Sequence, residues 1–110
     1  MILSAFTPQG NTITFTADTV SPSPVQANTG VGLGSVQYEI LNAGNVTVFM
    51  GIGITSGGAL SNAVVVTSSG PSYPLLPGTD KIITGPPNAY FTGITSSGNA
   101  VIYITPGEGL

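Results

Sequence analysis

The stretch "SVQYEIL", Ser35 to Leu41, sets Val36, Tyr38 and Ile40 on one side of an extended chain and Gln37 and Glu39 on the other. Such period-two alternation marks a strand with one buried and one wet face. The same rhythm recurs in both directions along the chain. "NTITFTA" alternates Ile13, Phe15 and Ala17 with three threonines, and "NVTVFMGIGI" alternates Val46, Val48, Met50, Ile52 and Ile54 with Thr47, Phe49 and two glycines. "NAVVVT", "DKIIT", "AYFTGI" and "AVIYIT" complete the set, with "SYPLL" as a short edge strand. Helical periodicity is absent. The pattern predicts seven or eight strands and an all-β chain folded as an antiparallel β-sandwich, with a jelly roll among the arrangements that this strand count admits.

Turn chemistry punctuates these strands. Leu76-Pro77-Gly78-Thr79 and Thr105-Pro106-Gly107-Glu108 have Pro at the second position and Gly at the third, as a type II turn requires. "TSSGNA", Thr95 to Ala100, reads as a hairpin loop with Gly98 left-handed. "GITSGGALSNAVVVT" from Gly53 and "GITSSGNAVIYIT" from Gly93 share a glycine-led strand end, a Ser/Gly loop and a β-branched strand, which reads as one hairpin repeated or as convergent hairpin chemistry. Residues 18–35 form a Pro/Gly-rich loop, interrupted by a short strand around Val25. It serves either as a partner contact or as a crossover between sheets.

Composition narrows the function. The 110 residues fit a single domain spanning 1–110, and only 5% of them are charged, against roughly 25% in ordinary soluble domains. Isolated β proteins guard open sheet edges with charge, above all with lysine. Lys81 is the only basic side chain here, so the edges must be blunted by the 9 prolines or covered by a partner. One lysine cannot neutralise several phosphates, which argues against nucleic acid. The longest apolar stretch, Val46 to Ile54, is well short of the roughly 18 residues that span a bilayer, and "MILSAFTPQG" lacks the features of a signal peptide.

Chemical groups are few: no His, no Cys, no Trp, and four acids, Asp18, Glu39, Asp80 and Glu108. Triads, thiol chemistry and histidine metal sites are therefore excluded. A two-carboxylate glycosidase would need two acids about 5–10 Å apart in a cleft, whereas Glu39 on a strand and Asp80 beside Lys81 read as surface acids, the latter in a local pair with Lys81. "GVGLGS" at Gly30 has no lysine and no helix after it to make a phosphate loop, and four scattered acids offer calcium at most one weak site. No enzyme activity, cofactor or metal is expected. The sequon at Asn45 reads as turn and strand residues. Tyr73, Tyr90 and Tyr103, with Phe91, suit a sugar site, a protein interface or the core, and in "AYFTGI" Tyr90 and Phe91 fall on opposite faces.

From Tyr73 onward, "YPLLPGTDKIITGPPNAYFTGITSSGNAVIYITPGEGL" resembles the small virion proteins of tailed bacteriophages. In these, an "LPG" turn, a strand, an aromatic strand and a closing "PGEGL"-type segment end a short, cysteine-free β domain. The resemblance implies a capsid decoration or cement protein, made in the host cytoplasm and resident on the virion. Its partner would be the assembled major capsid protein, while the poorly guarded edges suggest that the chain itself forms a homo-oligomer, a dimer or trimer. Within that picture Met1 to Gln9, with Ile2, Leu3 and Phe6, reads as an arm of residues 1–11 laid on a neighbour or as a capping strand of its own domain. Tyr73 and Tyr90 are the further interface candidates. The other class of reading is a receptor- or carbohydrate-binding module of a head or tail fibre, which would form trimers around an aromatic-lined pocket.

Overall fold

The computed structural model describes residues 7–8, 10–27 and 36–108. Ten elements follow in order: β1 (Thr7–Pro8), β2 (Ile13–Ala17), β3 (Val25–Gln26), β4 (Val36–Asn42), β5 (Val48–Gly53), α1 (Ser56–Asn62), β6 (Tyr73–Leu75), β7 (Asp80–Gly85), β8 (Tyr90–Ile94) and β9 (Ala100–Glu108). A front sheet runs β2-β9-β4-β7, with β1 pairing the far end of β9 beside β2. A back sheet runs β3-β8-β5-β6. All the strand pairs are antiparallel.

The pairings nest. β2 lies against β9, β3 against β8, β4 against β7 and β5 against β6. This is one long ribbon, β2 to β5 running out and β6 to β9 returning, rolled up so that successive segments fall in opposite sheets. It is the jelly-roll arrangement of a sandwich. Between the sheets sit Phe15, Val36, Tyr38, Ile40, Val48, Met50, Leu75, Phe91, Ile102 and Ile104, all buried. These are the inward positions of the alternating strands. Tyr38 meets Phe91 edge to face at the centre, with ring centroids 4.9 Å apart.

The rolled ribbon corrects several expectations. Thr95 to Ala100 is a corner between sheets, not a hairpin, because β8 and β9 lie in different sheets. Gly98 is left-handed as expected (φ 74°), and the Thr95 hydroxyl donates to its carbonyl at 2.6 Å. Leu76 to Thr79 turns as read, with Gly78 at φ 70°. Thr105 to Glu108 does not turn, because β9 continues through Pro106. The β2 pairing ends at Ile104 and the β1 pairing begins at Gly107, so Pro106 falls in a gap where a missing N–H is tolerated. The crossover reading fits the described part of residues 18–35. Asp18 bridges to Ile94, the Thr92 hydroxyl holds the Pro22 carbonyl at 2.8 Å, and β3 supplies the short strand around Val25.

The stretch "NAVVVT" is not a strand. Instead Thr55 caps a seven-residue helix, accepting from the Gly58 N–H at 3.0 Å, and the chain leaves the helix at Ala63. This helix lies on the outer side of the back sheet because Gly51 and Gly53 leave room for it. A Cβ on Gly51 would stand 2.1 Å from the Ala59 carbonyl oxygen. The Asn62 amide ties it down by donating to the Ile52 carbonyl at 2.8 Å. No helix among the described residues is long and apolar enough to cross a membrane.

Candidate interaction surface

With α1 and the 18–24 crossover on the back sheet, the two outer faces differ. On the front sheet the outward positions are Gln37, Glu39 and Leu41 on β4, Asp80, Ile82 and Thr84 on β7, Val101, Tyr103 and Thr105 on β9, and Thr14 and Thr16 on β2. Leu41 stands opposite Tyr103, and Ile82 sits diagonally from Leu41. The four large apolar groups Ile82, Leu41, Tyr103 and Val101 are 37–49% exposed, so they form a slanting stripe across three strands. No described element covers it.

Three of the threonine hydroxyls around the stripe are already engaged within the protein. Thr14 donates its hydroxyl to the Ile102 carbonyl at 2.8 Å, and Thr12 and Thr105 share a hydrogen bond at 2.8 Å. Hydroxyls already engaged within the protein lose less on leaving water than free ones do. A largely neutral face results, suited to burial against another protein.

The one charged feature on this face is a carboxyl pair. Glu39, flanked across the ladder by Ile82 and Thr105, lies in hydrogen-bonding contact with Asp80. The hydrogen bond to Asp80 pushes the Glu39 carboxyl above its ordinary range, with partial burial and the neighbouring charge acting in the same direction. The expected Asp80–Lys81 pair does not form. Neighbours on a strand point to opposite faces, so Asp80 meets Glu39 while Lys81 lies on the other side. Among the described residues no three His, Cys, Asp or Glu side chains gather to hold a metal ion.

A raised folded-state value means that the stabilisation is fully present below the ordinary glutamate range and is lost as the pH rises through the raised value. Glu39→Gln is therefore expected to melt on the order of 1–3 °C above the wild type at pH 7, the effect of one relieved cross-strand pair. The two should converge near pH 4. Thermal melts across this range decide it, and a constant difference at every pH would refute the raised Glu39 value.

The tyrosines distribute themselves differently from one another. Tyr73, opposite Met50 on β6, is half-buried and packs on the core. Tyr90 is half-buried on the outer side of the back sheet beside Gly53, with Phe91 buried on the opposite face, as the alternation requires. Only Tyr103 belongs to the front stripe. Ile2, Leu3 and Phe6 lie outside the described residues. Leu41, Ile82 and Val101 escape sequence reading, since alternation identifies a strand's two faces without saying which neighbouring elements will cover them. No protein-family model matches the chain, and neither a characterised protein nor a solved structure is detectably similar to it.

Proposed function

We propose that this chain is a non-catalytic structural protein that decorates and braces a tailed-phage capsid, docking on assembled major capsid protein through the outer face of its front sheet. The observation that carries this reading is the stripe of Ile82, Leu41, Tyr103 and Val101, uncovered by any described element of the front sheet, in a chain almost without charge. The C-terminal resemblance to small virion proteins names the setting, and the jelly roll, an architecture that recurs in viral coats, agrees with it as a fold-level analogy. Bracing would come from burying this face across junctions between capsid subunits. A contact of about 800 Å² per partner is a standard size, and repetition over the shell multiplies its effect.

The test is co-sedimentation of the purified chain with capsids that lack it. Saturation at a fixed ratio to capsid subunits is expected. Leu41→Asp and Tyr103→Asp should each weaken binding about 30-fold or more, as loss of a central anchor does. Ile54→Asp, at a more exposed position just past β5 in the back sheet, should bind normally. Binding to cell-surface glycans without capsid binding would overturn the reading in favour of a fibre module.

A further inference from the structure

The sheet edges of this protein are not equally guarded. In the back sheet β3 has two residues and follows Pro22 and Pro24, while β6 has three and contains Pro74. On one side of the front sheet β1 contains Pro8, the chain breaks from β1 to β2 at left-handed Gly10, and β2, five residues without proline, is fastened at its end to the back sheet where Thr95 N–H donates to the Asp18 carbonyl. Short strands and prolines are the devices by which β proteins keep other strands from adding on. The opposite edge has neither, and its one guard is the single charge of Lys81. β7 runs six residues with no proline, and among the described residues only β4 pairs with it. Its interior, Lys81-Ile82-Ile83-Thr84, has the β-branched composition that favours pairing.

We infer that two copies of the chain join through their β7 edges, antiparallel about a twofold axis at Ile82, so that the two front sheets become one. Antiparallel partners must share a face of the sheet, so opposite residues have the same parity and their numbers sum to an even value. A sum of 162 sets Lys81 against itself, and a sum of 160 sets Asp80 against itself. A sum of 164 avoids both and uses the strand fully: Ile82 faces Ile82 of the second copy, Lys81 faces Ile83, and Asp80 faces Thr84. The axis then joins the two exposed stripes end to end, from Val101 and Tyr103 through Leu41 and Ile82 into the same residues of the second copy. A twofold pair would present one long apolar face instead of two short ones. The pairing goes beyond capsid decoration and does not depend on it.

The test uses the full chain in solution, without capsids, so that its failure and failure of the docking reading are separate results. Light scattering on a size-exclusion column should show the mass rising from the chain's 11.0 kDa towards twice that value as concentration increases. An edge contact lies at the small end of interface sizes, so the rise is expected between about 1 µM and 1 mM. Ile82 is 49% exposed, so Ile82→Lys and Ile82→Glu should each fold and remain monomeric, while an equimolar mixture of the two recovers the double mass. Thr84→Lys, which faces Asp80 of the second copy twice by symmetry, should tighten association by about threefold or more. Ile54→Lys should change nothing. Wild type monomeric at 1 mM, a stable trimer, or Ile82→Lys associating like the wild type would each overturn the inference. Unchanged or weakened association in Thr84→Lys would overturn the register.

Discussion

Tyr38→Ala is expected to lower the unfolding free energy by about 3–5 kcal/mol, the cost of emptying a large aromatic site in a core. Domains of this kind have only about 5–15 kcal/mol to lose. The side chain is fully buried on β4 and does two jobs. Its ring meets Phe91 edge to face, joining the front sheet to the back. Its hydroxyl reaches the Pro86–Ala89 corner between β7 and β8, donating to the Pro86 carbonyl and accepting from the Ala89 N–H at 3.3 Å. Burial raises the phenol's pKa above its ordinary value and the Ala89 hydrogen bond opposes that rise, so the group stays neutral and able to donate. Tyr38→Phe separates the two jobs. It keeps the ring and strands the two backbone groups, for a loss of about 1–3 kcal/mol. Urea unfolding with a common slope gives both values, and a phenylalanine variant as stable as the wild type would show that the hydroxyl latch contributes nothing.

Tyr38 also marks how far the sequence could be read. Its place on an inward face beside Val36 and Ile40 follows from alternation alone, and the strands β2, β4, β5, β7, β8 and β9 emerge from the same signal. The partner of its hydroxyl does not, because Pro86 and Ala89 come from a corner 48 and more residues away. Connectivity was hidden for a related reason. A Pro-Gly or Ser-Gly turn has the same local chemistry whether it returns the chain along one sheet or lifts it to the other, so corners such as Thr95–Ala100 pass for hairpins. The helix was hidden because its cause lies on another strand. "SGGALSN" has poor helix propensity, and what favours it is the bare backbone of Gly51 and Gly53 beneath it. The front face was half legible: Tyr103 stood out as an aromatic, but the exposure of Leu41 and Ile82 depends on α1 having been spent on the other sheet.

The second large effect is expected at Asn42, which no periodic pattern singles out. Asn42 is fully buried at the end of β4. Its amide donates to the Val46 carbonyl at 2.9 Å and the Leu75 carbonyl at 3.0 Å, and its side-chain oxygen accepts from Gly44 N–H at 2.9 Å. Its backbone bonds to Thr79 and Gly78 as well, so one residue fastens the β4–β5 corner to the β6–β7 corner. Asn42→Leu fills nearly the same space but leaves three backbone groups without partners. Each costs about 1–3 kcal/mol when shut away from water, and water can reach part of the site, so a total loss of about 3 kcal/mol is expected at any pH. Asn42→Asp should behave differently. An ionised carboxylate has no hydrogen to give the two carbonyls and is buried beside them, which holds its pKa well above the ordinary range. Its protonated form regains one donor. Stability should therefore be lower than that of Asn42→Leu at pH 7 and should recover as the pH falls through the raised value, the pH-dependent part being complete below the ordinary aspartate range. Urea midpoints of the two variants at pH 7 and pH 4 decide the matter: parallel behaviour would mean that the corner is held by shape, and a selective acid rescue of Asn42→Asp that it is held by donated hydrogen bonds.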